Sequence, residues 1–273
     1  MTDRYAVIGN PVAHSKSPLI HASFARQTGQ DISYERMLAP LDGFAATVHA
    51  FIAAGGRGAN VTVPFKHEAA RIATRLSERA RLAAAANTLA FDGREIYGDN
   101  TDGIGLVRDI RANLGHPLSG RRILLLGAGG AACGVAQPLL AERPELVVIA
   151  NRNAQKAQRL AADYAGQMPA PRGCGFGDLR DQGFDIVINA TSAGMTDSTL
   201  DIPAGIFAAG SLAYEMVYGR ETPFMRQARD AGAAVADGLG MLVEQAAEAF
   251  LLWRGVRPDT GRLRAELQAA GGG

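Results

Sequence analysis

Cysteine is nearly absent from this chain of 273 residues, which contains only Cys133 and Cys174. Two cysteines exclude a disulfide framework and a cysteine-rich zinc site, and no cluster of His, Cys or carboxylates points to a metal. The N-terminus also lacks the pattern of a signal peptide. We therefore expect a cytoplasmic protein, in a reducing compartment, that holds no metal.

An excess of charge is missing as well. The chain has 28 Lys and Arg against 27 Asp and Glu, a formal net charge of +1. Because nucleic-acid binding usually requires a basic excess, no nucleic-acid partner is expected. The 47% hydrophobic residues indicate a folded globular protein with a sizeable core. The oligomeric state stays open, with a homodimer as one alternative.

One uncharged stretch, residues 123–141, has nearly the length of a membrane span. It contains four glycines and Pro138, and it begins with the strand-like run Ile123–Leu126. A strand, a glycine turn and a helix explain this composition better than a membrane helix does. No membrane partner is expected.

Strand-like and helical segments alternate along the chain in two series. The first starts with a strand at Tyr5–Gly9, followed by a helix for which Ser17, placed before Pro18, is the expected N-cap. The second starts at Ile123. This alternation predicts an α/β protein of two domains with mostly parallel sheets. A long apolar helix predicted at Met241–Trp253 has no certain place in either domain.

The turn after Ile123–Leu126 has the pattern G-x-G-x-x-A, formed by Gly127, Gly129 and Ala132. The first glycine allows a tight turn, the second allows close approach of a pyrophosphate, and the small third residue lets the helix pack on the strand. The N–H groups at the helix start then bind the anion. The pattern predicts a dinucleotide site, against the alternatives of an ordinary glycine turn or an S-adenosylmethionine site.

The end of the next strand distinguishes between nucleotides. An NAD-binding protein has an acidic residue there, whereas this chain has Asn151, Arg152 and Asn153, with Lys156 one turn further on. Arg152 and Lys156 suit a 2′-phosphate, which S-adenosylmethionine lacks. The residues therefore predict NADP, the alternative being a solvated helix start that happens to carry two cations.

Polar side chains also follow the predicted strands of the first domain. Hydroxyl, amide, ammonium and carboxylate groups at strand ends suit a small acid that carries several hydroxyls. The residues concerned are Ser15, Ser17, Asn60, Thr62, Lys66, Asn87 and Asp102.

Several motifs together resemble the shikimate dehydrogenase family. They occur in order over almost the whole chain, from Tyr5 to about Asp259, and their agreement is more specific than any single motif. The motifs are Gly9–Pro18, Asn60–Lys66, Asn87–Leu89, Asp99–Gly103, Gly127–Ala132, Asn151-Arg152, Asn189–Gly194 and Gly238–Gln245.

The resemblance implies reversible NADP-linked reduction of 3-dehydroshikimate to shikimate, in aromatic amino acid biosynthesis. It implies a discontinuous substrate domain, residues 1–101 with 238–273, and a Rossmann-type NADP-binding domain, residues 102–237, with the active site in the cleft. The family's catalytic lysine and aspartate fall on Lys66 and Asp102. The positions that match its substrate contacts are Ser15, Ser17, Thr62, Asn87, Asp102, Tyr218 and Gln245. The positions that match its NADP contacts are Gly127, Ala128, Gly129, Gly130, Ala131, Asn151, Arg152, Asn153, Lys156, Met216, Gly238 and, as a weaker transfer, Glu78.

The implied reaction also indicates a role for Lys66. A hydride that reaches a carbonyl carbon leaves negative charge on the oxygen, and a nearby ammonium stabilises that charge and supplies the proton. Apart from Lys16, Lys66 is the only lysine in the first 150 residues. Asp102 can orient this lysine and bind a substrate hydroxyl, or cap the following helix. Whether Lys66 alone or a Lys66–Asp102 relay transfers the proton stays open.

The chain departs from the family pattern at two positions. Cys133 stands where many members have Arg, and Glu215 stands where Asp is usual. Two rival functions remain: a quinate/shikimate dehydrogenase of broader substrate range, and a non-catalytic NADP-binding sensor. Ser15 and Ser17 favour shikimate, and the presence of both Lys66 and Asp102 argues against a sensor.

Overall fold

The structure, a computed structural model, describes residues 2–180 and 182–271. The chain divides into two compact units, the first made of Met1–Gly105 with Val243–Gly273 and the second of Leu106–Leu242. The boundaries expected from the sequence, before residues 102 and 238, fall a few residues earlier. That the first unit binds substrate and the second binds NADP stays a prediction.

Strands and helices alternate along most of the chain. The strands are β1 (Asp3–Gly9), β2 (Ile32–Leu38), β3 (Gly56–Val61), β4 (Arg75–Leu76), β5 (Thr88–Asp92), β6 (Glu95–Asp99), β7 (Arg122–Leu126), β8 (Leu146–Ala150), β9 (Arg172–Cys174), β10 (Phe184–Asn189), β11 (Phe207–Glu215) and β12 (Ala234–Ala236). The α-helices are α1 (Ser17–Thr28), α2 (Phe44–Ala53), α3 (Lys66–Ile72), α4 (Glu78–Ala83), α5 (Asp102–Arg108), α6 (Gly130–Ala141), α7 (Ala154–Ala162), α8 (Ala193–Thr196), α9 (Pro223–Asp230), α10 (Leu239–Arg254) and α11 (Gly261–Gly271).

The first unit contains a six-stranded sheet in the order β2-β1-β3-β5-β6-β4. Strand β1 is parallel to β2 and β3, and β4 is parallel to β6, whereas β5 is antiparallel to both of its neighbours. Because β5 is reversed, its first residues lie at the edge where β1, β3 and β6 end. Polar residues from before β5 and from after the other strands are therefore brought to one edge of the sheet.

The second unit contains a six-stranded sheet in the order β12-β11-β10-β7-β8-β9, and every pair in it is parallel. From the other edge, the strands run third, second, first, fourth, fifth and sixth in chain order, which is the doubly wound arrangement of Rossmann folds. Ile123, Leu124, Leu125 and Leu126 of the central β7 are fully buried, as expected for a strand covered on both faces. The predicted α/β fold class with mostly parallel sheets is confirmed.

The start of α1 differs from the prediction. Lys16 occupies the N-cap position, and its side chain makes no capping hydrogen bond, while Ser17 is the first helical residue. The N-cap prediction for Ser17 was therefore wrong by one residue. The hydroxyl of Ser15 accepts a hydrogen bond from the backbone N–H of Ser17 at 3.2 Å, so this local turn places the serine inside the helix.

Candidate active site and dinucleotide-binding loop

Lys66 and Asp102 form an ion pair at the polar edge of the first sheet. Lys66 begins α3 and Asp102 begins α5, and the Nζ of Lys66 donates to Oδ2 of Asp102 at 2.6 Å. The two side chains are 25% and 10% exposed, so the pair is shielded from water but still accessible to a small molecule. The structure thus brings together the two residues that the sequence predicts to be catalytic.

Asn87 holds the second oxygen of this aspartate. Its Nδ2 donates to Oδ1 of Asp102 at 2.8 Å and to Oε1 of Gln245 at 3.2 Å, while its Oδ1 accepts from the backbone N–H of Thr101 at 2.8 Å. Both carboxylate oxygens of Asp102 therefore have defined partners. Three predicted substrate contacts, Asn87, Asp102 and Gln245, form one hydrogen-bonded group in the first unit.

Ser15, Ser17 and Thr62 follow β1 and β3 at the same edge. The hydroxyls of Ser15 and Ser17 are 3.1 Å apart and hydrogen-bonded to each other. Among the residues that the structure describes, the hydroxyl of Thr62 has no hydrogen-bond partner, which leaves it available to a ligand. Gly9 is required beside it, because a Cβ at residue 9 would lie 2.3 Å from Cγ2 of Thr62.

A buried network under this edge includes residues to which the sequence analysis assigned no role. Oδ1 of Asn60 accepts from the Tyr34 hydroxyl at 2.7 Å and lies 3.1 Å from Nε2 of His21, and Nδ2 of Asn60 donates to the Thr88 hydroxyl at 3.1 Å. Since an amide oxygen only accepts, the His21 ring must donate from Nε2. Burial lowers the pKa of His21 to about 3, so the ring is neutral at physiological pH. Thr88 in turn donates to Asn87 at 3.0 Å.

The glycine-rich loop of the second unit lies at the switch point of its sheet, between β7 and its neighbours β8 and β10. Gly127 has a φ of +110°, which disfavours any side chain, and a Cβ there would lie 3.0 Å from the carbonyl oxygen of Ala190. Gly129 is the N-cap of α6, and a Cβ at this position would meet no atom within 4 Å. The first turn of α6 contains no acidic residue.

This loop fits a pyrophosphate, because the space beside Gly129 is open and the loop leads into the N-terminus of a 12-residue helix. The prediction assigns the phosphate contacts to the loop and the first residues of α6. These residues are Gly127, Ala128, Gly129, Gly130 and Ala131.

The end of β8 presents two cations beside this loop. Asn153 caps α7 by accepting from the Lys156 backbone N–H at 3.2 Å, and Asn151 donates to the Asn153 carbonyl at 3.0 Å. Arg152 and Lys156 are exposed, and among the described residues neither is paired with an acidic side chain. The segment therefore fits a 2′-phosphate and offers no carboxylate to repel it.

The remaining predicted site residues lie in three places. Met216 and Gly238 touch through their backbones, since a Cβ on Gly238 would lie 2.2 Å from the Met216 carbonyl oxygen. Tyr218 lies two residues after Met216 in the second unit, and burial raises the pKa of its hydroxyl. Glu78 is exposed at the start of α4 in the first unit. The ligand contacts of these four residues stay predictions.

Cys133 and Glu215, where the chain departs from the family pattern, are both in the second unit. Cys133 lies in the first turns of α6, and burial raises the pKa of its thiol. It supplies no cation to the phosphate loop. Glu215 ends β11 and is fully buried.

Two further kinds of site, a metal site and a membrane-spanning helix, are absent from the described residues. Within residues 2–180 and 182–271, no group of three or more His, Cys, Asp or Glu side chains could hold a metal ion. No helix in this part of the chain is both long and apolar enough to cross a membrane.

The parallel sheet with its glycine loop, together with the Lys66–Asp102 pair, defines a dinucleotide-dependent α/β oxidoreductase. Family models agree with this class along the chain. Residues 7–89 match the shikimate dehydrogenase substrate binding domain, residues 110–196 match shikimate / quinate 5-dehydrogenase, and residues 238–268 match the shikimate 5'-dehydrogenase C-terminal domain.

Individual relatives match over nearly the full chain. Shikimate dehydrogenase (NADP(+)) of Dechloromonas aromatica is 62% identical over 271 residues, which is 98% of each chain. The Ael1 enzyme of Pseudomonas putida superposes with a TM-score of 0.92 at 50% identity, covering 97% of this chain and 98% of that one. Shikimate 5-dehydrogenase of Thermus thermophilus, solved with NADP(H) and shikimate, has a TM-score of 0.87 at 34% identity and covers 98% and 100%. The chain belongs to the shikimate dehydrogenase family, and the resemblance inferred from its motifs is confirmed.

Proposed function

We propose that this chain catalyses the reversible, NADP-linked interconversion of shikimate and 3-dehydroshikimate. The observation that carries the proposal is the 2.6 Å contact between Lys66 and Asp102 at a polar sheet edge. A relative named for this activity, 62% identical over 98% of this chain, supports the same substrate and cofactor. The biosynthesis of aromatic amino acids is the corresponding process.

The second unit would bind the cofactor through its own residues. The N-terminus of α6 is suited to the pyrophosphate, and the exposed Arg152 and Lys156 to the 2′-phosphate. When bound, NADP supplies the hydride-transfer chemistry. The protein supplies orientation and charge around it.

Lys66 holds the proton that the substrate oxygen gains or loses. Its ammonium group, kept in place by Asp102, stabilises negative charge on that oxygen and donates from Nζ. Asp102 keeps its orientation because Asn87 binds its other oxygen at 2.8 Å. Ser15, Ser17, Thr62 and Gln245 would bind the carboxylate and hydroxyls of the substrate, and Tyr218 is proposed as a further contact.

A hydroxyl-rich site of this kind discriminates strongly. A buried donor or acceptor that is left unpaired by an analogue costs about 1–3 kcal/mol. We therefore expect shikimate to be preferred over quinate. Both cysteines are free, as expected for the cytoplasmic location that we also propose.

An absorbance assay at the reduced-nicotinamide band tests the proposal. Shikimate and quinate are each offered with NADP and with NAD, giving four combinations. Turnover that is fastest with shikimate and NADP supports the proposal. Comparable turnover of quinate would favour the broad-range dehydrogenase, and NADP binding without turnover of either acid would favour the sensor.

A further inference from the structure

Glu215 is a buried carboxylate that no role proposed so far explains. It is the last residue of β11 and has no solvent exposure. Its Oε2 accepts from Nδ2 of Asn189 at 2.7 Å and from the Thr222 hydroxyl at 2.9 Å. Its Oε1 accepts from the backbone N–H of Val217 at 3.1 Å. Among the described residues it has no cationic partner: burial raises the pKa of this carboxyl, and hydrogen bonds from its donors oppose that effect.

These donors belong to three separate segments of the second unit. Asn189 ends β10, Val217 lies in the segment after β11, and Thr222 is the N-cap of α9, where it accepts from the Met225 backbone N–H at 3.3 Å. One side chain therefore joins two strand ends and the start of a helix. Burying a carboxylate is unfavourable unless several hydrogen-bond donors compensate. The fold alone would therefore not favour a carboxylate at this position without these donors.

The loop after β10 is packed directly on this carboxylate. Oδ1 of Asn189 accepts from the Thr191 backbone N–H at 3.1 Å and from its hydroxyl at 2.7 Å, which shapes the turn. A Cβ on Gly194 would lie 3.0 Å from Oε2 of Glu215, so glycine is needed for this contact.

The same loop reaches the dinucleotide-binding turn. Ala190, one residue after Asn189, has its carbonyl oxygen 3.0 Å from the position of a Cβ on Gly127, and its backbone N–H donates to Leu126 at 2.8 Å. On the other side of Glu215, Met216 donates its N–H to the Asn189 carbonyl at 3.1 Å. A displacement of Glu215 would therefore move the residues that frame the switch point of the sheet.

We propose that Glu215 is a positioning residue for the cofactor: by binding Asn189, Val217 and Thr222 at once, it holds the Asn189–Gly194 loop and the Met216–Tyr218 segment in the arrangement that receives NADP. This inference rests on the proposed function for the identity of the cofactor. It adds a residue that touches neither cofactor nor substrate in the proposal above.

The length and charge of the side chain are both needed. Aspartate is one methylene shorter, so its carboxylate would lie farther from Asn189 and Thr222 at the same backbone position. Glutamine keeps the length, but it replaces one of the two acceptor oxygens by an NH2 group, which donates instead of accepting. It therefore leaves at least one of Asn189, Val217 and Thr222 without an acceptor.

The test measures NADPH binding directly by fluorescence titration, next to the Michaelis constants for NADP and shikimate. We expect Glu215→Gln to weaken NADPH binding about 10- to 150-fold, the effect of one hydrogen bond to a charged group. The Michaelis constant for NADP should rise in parallel, while that for shikimate changes by less than about twofold. Gly194→Ala should also weaken NADPH binding. Glu215→Asp keeps the carboxylate and should bind NADPH more tightly than Glu215→Gln, although less tightly than the wild type.

Glu221→Gln is the matched control, since Glu221 is an exposed glutamate on the same segment. It should bind NADPH as the wild type does. Wild-type affinity in Glu215→Gln, or equal changes in the NADP and shikimate constants, overturns the inference. If Glu215→Gln does not yield folded protein, Gly194→Ala decides by the same criteria. A wild type that binds NADPH but does not oxidise shikimate would refute the proposed function, and the titration would still test Glu215.

Discussion

Lys66 and Asp102 are 36 residues apart in the chain, yet the lysine Nζ is 2.6 Å from Oδ2 of the aspartate. The other aspartate oxygen accepts from Asn87 at 2.8 Å. Because Asn87 fixes Asp102, the aspartate holds the ammonium group of Lys66 in a defined orientation. Preorganised charge of this kind stabilises a developing oxyanion more effectively than charge that must reorganise during the reaction.

Arg152→Ala tests the 2′-phosphate assignment. Because only NADP has this phosphate, we expect the Michaelis constant for NADP to rise about tenfold or more and the constant for NAD to change little. Steady-state kinetics with both cofactors measure the difference. Arg159→Ala, which removes an exposed cation from the last turn of α7, the helix that follows Arg152, is the control and should leave both constants unchanged. Equal effects of Arg152→Ala on the two cofactors would refute the assignment.

Gly127→Ala tests the turn at the switch point. Its φ of +110° is unfavourable for alanine, and the added methyl group would press on the Ala190 carbonyl at 3.0 Å. We expect a loss of about 1–3 kcal/mol in the free energy of unfolding, measured in urea, together with weaker NADPH binding. Gly205→Ala is the control, because a Cβ there would meet nothing within 4 Å. A fully stable Gly127→Ala that binds NADPH normally would contradict the role of this glycine.

His21 predicts a pH dependence of stability. Burial lowers its pKa to about 3 in the folded protein, against about 6.5 in the unfolded chain. Between these values the unfolded state binds the extra proton, so the free energy of unfolding falls as the pH is lowered from about 6.5 towards 3, by up to about 1.4 kcal/mol per pH unit. His21→Phe should remove this part of the slope in urea unfolding measured across that range.

The control for this experiment is His49→Gln, which changes an exposed histidine on α2. Its pH slope should match that of the wild type. An unchanged slope in His21→Phe would show that His21 is protonated alike in both states.

Local patterns predicted much of the fold. The predicted strands Tyr5–Gly9 and Ile123–Leu126 lie within β1 and β7, which begin two residues and one residue earlier, because apolar runs before turn residues define them. The two-residue β4 and the short β9 were missed, since each depends on a neighbouring strand for its hydrogen bonds. The apolar helix predicted at Met241–Trp253 is α10, which begins at Leu239 and ends at Arg254.

In the candidate site, too, sequence motifs predicted individual residues, whereas contacts between distant parts of the chain could not be predicted. The spacing of the glycines was sufficient to select the dinucleotide loop, and the family resemblance assigned the catalytic roles to Lys66 and Asp102. The reversal of β5, which places Asn87 against Asp102, depends on strand pairing that local patterns do not contain. The buried contacts of Asn60 and Glu215 depend on partners elsewhere in the chain. The sequence could therefore list Asn60 only as a candidate substrate residue and Glu215 only as a departure from the family pattern.

Lys66→Ala, assayed with shikimate and NADP, tests the central claim most directly. We expect kcat to fall roughly 10²–10⁴-fold with the fold intact, since the variant loses the group that holds the proton. Combining it with Asp102→Asn should lower kcat little further, because the two side chains act as one unit. Arg71→Ala, a cation lost from the same helix, should retain wild-type kcat. Near-normal turnover by folded Lys66→Ala would contradict the account.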